Sequence, residues 1–141
     1  MNMDPSLGRV SLAFGDLYRV QGDTKRALEY YNDVLADPAL RWQALLGRAQ
    51  VYVDQGREAD AMRDFRQALR LSPGNADVHA QLGYQQYRLG HYPEAIAEFR
   101  TAVALRPDVA WQWDILGGLL VAAGDADAAE QALRRALALG P

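Results

Sequence analysis

Four glycines stand 34 residues apart along the chain, at Gly22, Gly56, Gly90 and Gly124. A fixed period of this kind indicates a chain assembled from copies of one supersecondary unit. The same spacing separates the members of four further columns: Ala27, Ala61, Ala95 and Ala129; Tyr31, Phe65, Phe99 and Leu133; Gly15, Ala49, Gly83 and Gly117; and Pro73, Pro107 and Pro141. The 141 residues therefore divide into about four modules and a short tail, with neighbour contacts in place of one central core.

Each module contains two segments in which apolar residues recur at spacings of three and four, as at Ala61, Phe65 and Ala68. This periodicity predicts a pair of amphipathic helices per module. The recurrent glycine, such as Gly56, follows the first helix, where a residue without Cβ adopts the left-handed conformation at no steric cost. Pro93 lies just inside the second helix of its module, where the first turn tolerates proline.

Two columns of small residues offer a way to bring paired helices close together. We expect the column that contains Gly83 to face the column that contains Ala95, with larger side chains interlocking around the contact. A large residue at Gly83 should then force the two helices apart.

The modules resemble the tetratricopeptide repeat family, whose pattern is W-x2-L-G-x2-Y followed by A-x3-F, A and P. The third module carries Leu82, Gly83, Ala95, Phe99, Ala102 and Pro107, and the fourth carries Trp113, Leu116, Gly117, Ala129, Ala136 and Pro141. The match departs at Val34 in the first module, at Arg48, which stands for the leucine in the second, and at His79, which stands for the tryptophan in the third. These departures affect local packing only.

The resemblance implies an all-α fold, a right-handed α-α superhelix (solenoid) of four helix hairpins with a concave inner face. Its repeats would be residues 8–41, 42–75, 76–109 and 110–141, after an N-terminal tail of residues 1–7. Proteins of this family work by binding. The first expectation is therefore a non-catalytic protein–protein interaction scaffold or adaptor, which binds a peptide or helix of a partner protein in its concave groove.

The resemblance also implies which residues line that groove, because the family's concave face comes mainly from one stripe of each first helix. The residues that we predict to contact a partner are Arg9, Asp16, Arg19, Gln43, Leu46, Gln50, Asp54, Asp77, Tyr84, Tyr87, Arg88, Trp111 and Asp114. The family's clamp for a chaperone C-terminal carboxylate needs cations at positions that hold none here, so carboxylate capture of that type is not expected.

Three large amphipathic rings, Tyr84, Tyr87 and Trp111, form the centre of the predicted groove. Aromatic side chains in such a place are typical anchors for a protein ligand. The alternative is that the rings complete the packing between repeats, which we expect to apply least to Tyr84. Trp42 and Trp113 are predicted to be core or hairpin-packing residues.

The sequence offers no constellation that predicts catalysis, a cofactor or a metal site. The chain has no cysteine, and its two histidines, His79 and His91, have no metal-ligand spacing on one helix face. No phosphate-binding glycine loop or Ser, His and acid grouping occurs. We therefore predict that the chain is not an enzyme.

Charge and hydropathy limit the kinds of partner. With 15 basic and 18 acidic residues the net charge is −3, so nucleic acid is not expected as a partner on electrostatic grounds. The longest apolar stretch is far shorter than the about 20 residues of a membrane span, so no membrane insertion is expected. The start of the chain has no secretory pattern, which favours the cytoplasm, or the periplasm if a signal has been removed. Lys25 is the one lysine beside fourteen arginines, which favours a bacterial source.

The last predicted hairpin has no capping helix after it, so we expect its apolar flank, including Leu133 and Leu137, to be partly bare. Two explanations stay open. The sequence is part of a longer polypeptide, or this end self-associates with another copy. Two alternative functions follow: a regulatory or substrate-recruiting arm of a larger enzyme, and a homo-oligomerising assembly platform.

Overall fold

The computed structural model describes residues 5–140, which form eight α-helices and no strand. The helices are α1 (Pro5–Val20), α2 (Thr24–Val34), α3 (Arg41–Asp54), α4 (Glu58–Leu71), α5 (Ala76–Arg88), α6 (Tyr92–Leu105), α7 (Ala110–Ala122) and α8 (Ala126–Leu139). They pair in chain order into four hairpins. Two compact units hold two hairpins each: unit 1 is Met1–Pro73 and unit 2 is Gly74–Pro141. The predicted all-α fold class is confirmed.

The recurrent glycines end the first helix of every hairpin, as predicted. Gly22, Gly56, Gly90 and Gly124 all have a positive φ, between +76° and +83°. This left-handed geometry turns the chain so that the next backbone N–H reaches back into the helix. The N–H of Asp23, for example, donates to the carbonyl of Tyr18 at 2.9 Å. Glycine adopts this conformation without the strain that a Cβ would cause.

A contact between paired helices involves the glycine of the first helix, which lies against the large side chain of the second helix. The approach of the glycine column to the alanine column stays a prediction. A Cβ built on Gly15 would lie 2.7 Å from the ring of Tyr31, and one built on Gly83 would lie 3.2 Å from the ring of Phe99. A glycine here makes room for a ring that lies across the helix.

Each unit has its own apolar core. In unit 1, buried Ala27, Tyr31 and Val51 form a cluster that joins α2 to α3. In unit 2 a larger cluster draws residues from all four helices, among them Phe99 of α6 and Leu116 of α7. Helix α3 thus packs on α2 and helix α7 packs on α6, so the same contact between successive hairpins occurs once in each unit.

A charged pair compensates for the arginine that stands at a position of consensus leucine. Arg48 donates through Nε and Nη2 to both carboxylate oxygens of Asp64, at 2.7 and 2.9 Å, and Asp64 is only 2% exposed. Arg48 also donates to Oδ1 of Asn32 at 3.0 Å, which links α3 to α2. The hydrogen bonds that Arg48 donates to the Asp64 carboxylate raise the pKa of its guanidinium. Paired in this way, the arginine holds α3 against both α4 and α2.

At its N-terminal end the chain differs from the sequence expectation. Helix α1 begins at Pro5, so it extends into the segment of residues 1–7 that we predicted as a tail. Residues 1–4 and Pro141, the predicted end of the fourth repeat, lie outside the described residues. Within the described range, no helix combines the length and apolar character needed to cross a membrane.

The glycine–ring contact yields a stability prediction. Gly83→Leu should lower the free energy of unfolding by about 2 kcal/mol or more, because a large side chain there overlaps the buried ring of Phe99. Gly118→Leu is the matched control, since a Cβ at Gly118 meets nothing within 4 Å. Circular-dichroism melts of the two variants should differ clearly, and equal melting curves would contradict the prediction.

The buried pair yields a second prediction. Asp64→Ala should lower the free energy of unfolding by about 2–3 kcal/mol, because it leaves Arg48 half-buried without its carboxylate. Asp60→Ala, which removes a surface partner of Arg57 and Arg63, should cost less than about 1 kcal/mol. Denaturant unfolding measures both values. Similar losses for the two variants would refute the assigned role of the Arg48 pair.

Candidate functional site

Four aromatic side chains of unit 2 form a connected surface, here called the aromatic cluster: Tyr84, Tyr87, Tyr92 and Trp111. The ring centroids of Tyr84 and Tyr87 lie 6.3 Å apart, and those of Tyr87 and Tyr92 lie 6.2 Å apart. Trp111 meets Tyr84 edge to face at 6.3 Å. These separations are those of favourable aromatic pairs. Three elements, α5, the start of α6 and α7, supply the rings.

Exposure within the aromatic cluster differs from the expectation. Tyr87 and Trp111 are each 41% exposed, whereas Tyr84 is half-buried and packs against the core of unit 2. The guanidinium of Arg88 lies 6.0 Å from the Tyr84 ring centroid. Tyr84, for which packing was expected to matter least, is thus the most enclosed of the three predicted rings. It packs against the core and contacts both Tyr87 and Trp111.

A concave groove adjoins the aromatic cluster, and we call it the unit 2 groove. Its volume is about 390 Å³. It is lined by Tyr87, Tyr92, Asp114, Ile115, Gly118, Leu119 and Ala122. The lining is largely apolar, and Asp114 is its one charged residue. Gly118 contributes no side chain, and open space lies where its Cβ would be.

Asp114 is exposed, and its carboxylate has no hydrogen-bond or ion-pair partner among the residues that the structure describes. Two other surface carboxylates of unit 2 do have arginine partners. Glu130 accepts from Arg134 at 2.7 Å, and Asp108 lies 3.5 Å from Arg106. The negative charge of Asp114 is therefore available to a ligand in the unit 2 groove.

In unit 1, two predicted groove residues are engaged within the protein. The hydroxyl of buried Tyr31 donates to Oδ1 of Asp16 at 2.5 Å and accepts from Nε of Arg19 at 3.3 Å. Burial of the ring, with the Asp16 hydrogen bond, raises the pKa of Tyr31 above its ordinary value. Asp16 and Arg19 thus tie α1 to α2 in addition to any contact with a partner.

The remaining predicted residues are distributed over both units. Arg9 and Asp54 of unit 1 and Asp77 of unit 2 are exposed. Gln43, Leu46 and Gln50 are half-buried on α3. The thirteen residues thus fall into seven in unit 1 and six in unit 2. Among the unit 2 residues, Tyr84 contacts Tyr87, Arg88 and Trp111.

The thirteen residues predicted to contact a partner leave out five that line the unit 2 groove: Tyr92, Ile115, Gly118, Leu119 and Ala122. Tyr92 is the first residue of α6, and the family's concave positions lie on first helices. An aromatic residue between the Gly90 turn and Pro93 was the available signal. Ile115 and Leu119 follow the apolar pattern of the core, so their second role at the groove floor has no separate signature.

The two histidines have no common site. Nδ1 of His79 lies 2.7 Å from Oε2 of Glu98, between α5 and α6, where the consensus has a tryptophan. His91 is exposed at the N-cap of α6. Among the described residues, no group of three or more His, Cys, Asp and Glu is placed to hold a metal ion.

Known families and proteins give an independent comparison. Two tetratricopeptide repeat profiles match the chain, at residues 12–76 and 52–117. A segment of 82 residues is 33% identical to the tetratricopeptide repeat and J domain-containing co-chaperone DNJ1 of Fusarium oxysporum f. sp. lycopersici, and covers 58% of this chain. The human protein O-mannosyl-transferase TMTC1 is 27% identical over 99% of the chain. The chain spans only 16% of the length of each relative.

Solved structures share the fold. MamA superposes with a TM-score of 0.76 at 27% identity, covering 100% of this chain and 77% of MamA. The first tetratricopeptide repeat domain of RPAP3 (Spaghetti), bound to the HSP90 peptide SRMEEVD, superposes with a TM-score of 0.74. It is 19% identical, with 88% of this chain and 98% of that one covered, and at this identity the likeness concerns the fold alone.

The Tyr31 hydroxyl gives a pH prediction. Because the folded state binds the phenolic proton more tightly than the unfolded state, unfolding above about pH 10 should release this proton. The wild-type free energy of unfolding should fall there by up to about 1.4 kcal/mol per pH unit through this group. Tyr31→Phe should lack that component. Urea unfolding of the wild type and Tyr31→Phe, measured from about pH 10 upward, tests this prediction. Parallel decreases in the free energy of unfolding of the two proteins would contradict it.

Proposed function

Because the chain belongs to the tetratricopeptide repeat family, we propose that it is a non-catalytic interaction scaffold that binds a segment of a partner protein in the unit 2 groove. The observation that carries the proposal is the half-exposed aromatic cluster beside an apolar concavity. Such rings contribute large contact area at small entropic cost, because each has few rotatable bonds.

The fixed position of the rings supports this role. Trp111 contacts Tyr84 on one side and the buried ring of Phe99, at 6.0 Å, on another. Tyr87 lies between Tyr84 and Tyr92. Rings held by their neighbours lose little freedom when a ligand covers them, so more of the contact energy remains as affinity. The aromatic cluster is therefore suited to anchor a bound segment.

The charge in the unit 2 groove defines the partner's chemistry. Asp114 is unpaired, and the electron-rich faces of Tyr87 and Tyr92 are nearby in the same lining. A lysine or arginine side chain satisfies both, through a salt bridge to the carboxylate and cation–π contact with a ring. An apolar neighbour in the ligand would cover Ile115 and Leu119. We infer a segment that carries a basic residue next to an apolar one.

The proposed basic ligand differs from an acidic peptide that another tetratricopeptide repeat domain binds. The peptide in the RPAP3 structure, SRMEEVD, has three acidic residues near its end. An acidic segment of that type would meet the Asp114 carboxylate, and like charges repel. The proposed partner is thus a protein segment of opposite charge.

Peptide selection tests the proposal. Random peptides displayed on phage are selected against the wild-type chain, and the best binder is titrated by fluorescence anisotropy. Tyr87→Ala, Asp114→Asn and Gly118→Leu should each weaken binding at least about tenfold, equivalent to about 1.4 kcal/mol. Gly118→Leu fills the groove where open space exists, so it should block binding without unfolding the helix.

Leu105→Ala is the control, because Leu105 is exposed on α6 and does not line the groove. It should bind like the wild type. Selected peptides that lack a basic residue would remove the role of Asp114. Peptides that bind Gly118→Leu with wild-type affinity would overturn the groove as the binding site.

A second proposal is that this repeat array is the regulatory or substrate-recruiting arm of a larger enzyme. Its support is the match of 99% of the chain to a small part of the O-mannosyl-transferase TMTC1. The complete open reading frame at the source locus tests it. A catalytic domain in the same frame is the expected result, and a frame without one would contradict it.

A further inference from the structure

Helix α1 carries an apolar stripe that unit 1 covers only in part, although the ring of Phe14 stacks on that of Tyr30 at 5.2 Å. Its members, here called the α1 stripe, are Leu7, Val10, Phe14 and Leu17, at spacings of three and four residues. All four side chains are exposed, and Val10 is exposed to 50%. A stripe of this spacing is the usual sign of a helix face that packs against another element.

The 34-residue register shows what this face does elsewhere in the chain. Helices α3 and α7 are the first helices of the second hairpin in each unit, and each packs on the hairpin before it. The residues equivalent to Val10 and Leu17 are Ala44 and Val51 in α3, and Gln112 and Leu119 in α7. All four are buried. The α1 stripe is therefore the face by which a first helix packs on a preceding hairpin.

Helix α8 presents the opposite half of the same contact. Leu137 is 82% exposed, whereas Val103, its equivalent in α6, is only 6% exposed because α7 lies beside it. Two shallow grooves of about 530 and 450 Å³ flank α8, and Leu133 and Leu137 line both. We call Leu133, Ala136 and Leu137 the α8 face. It corresponds to Phe99, Ala102 and Val103 of α6, all buried.

The chain already makes this contact twice. In unit 1, Val51 of α3 packs with Ala27 and Tyr31 of α2. In unit 2, Leu119 of α7 belongs to the same cluster as Phe99 and Val103 of α6. By the repeat register, Val51 and Leu119 are equivalent to Leu17 of the α1 stripe. Tyr31 and Phe99 are equivalent to Leu133 of the α8 face, and Val103 is equivalent to Leu137. Two complementary halves of one recurring interface are thus exposed.

We propose that a second copy of this chain covers the α8 face with its α1 stripe, in the arrangement by which α7 packs on α6. Such an interface is head to tail, because different surfaces of the two copies meet. The partner is a copy of the chain, since the chain itself carries the helix face whose register fits α8. The α8 face borders the candidate site, because Trp111 and Asp114 also line the groove of about 450 Å³ beside α8. The proposal rests on the repeat register and does not depend on the function proposed for the unit 2 groove.

Light scattering coupled to size exclusion tests the proposal over a range of protein concentrations. The wild-type mass should rise with concentration above the 15.6 kDa of one chain. Leu17→Arg and Leu137→Arg should each abolish this rise, because each places a charge on one half of the interface. Both residues are exposed in the single chain, so melting curves should stay close to the wild type. Leu105→Arg, on an exposed site outside both faces, should associate like the wild type.

A mixture of the two single variants identifies the head-to-tail arrangement. The intact α8 face of Leu17→Arg can still receive the intact α1 stripe of Leu137→Arg, so the mixture should form a complex of two chains and grow no further. A wild-type chain that stays monomeric at every concentration would overturn the proposal. Association that survives in either single variant alone would overturn it too, since that result indicates like faces in contact.

Discussion

The fold depends on a contact between a glycine of one helix and a large side chain of the next. Tyr31 lies against Gly15, and Phe99 lies against Gly83. Because the glycine has no side chain, the ring fits across the helix and the hairpin closes around it. The contact recurs in the α7–α8 hairpin, where Leu133 lies against Gly117, whereas the α3–α4 hairpin has Ala49 at the position of the glycine. Interior packing of this kind is sensitive to one added side chain.

The same large side chains connect the core to the candidate site. Phe99 packs against Gly83 and also supports Trp111 edge to face. Tyr31 packs against Gly15 and holds Asp16 and Arg19 through its hydroxyl. The residues that close a hairpin therefore also fix side chains on its surface. A partner that binds the aromatic cluster meets rings whose positions the core has already determined, which reduces the entropic cost of binding.

Repetition made the fold predictable from the sequence, because each column was read several times. The helix ends at Gly22 and its equivalents, and the position of Pro93, followed from local backbone chemistry. Side-chain contacts between helices did not follow from the sequence in this way. The Arg48 pair with Asp64 depends on residues sixteen positions apart, and neither breaks a pattern in a way that points to the other. The repeat register predicted the position of Tyr84 on α5. The burial of its ring also depends on a contact with another helix, through Trp111 of α7.

Binding of a basic protein segment in the unit 2 groove can be mapped by NMR. Amide chemical shifts of the isotope-labelled chain are recorded during titration with the peptide selected on the wild type. The largest changes should map to residues around Tyr87, Asp114 and Gly118, with the Trp111 side-chain N–H among them. Changes centred on α1, on the α8 face or on Asp16 and Arg19 of unit 1, with the unit 2 groove unaffected, would contradict binding in that groove.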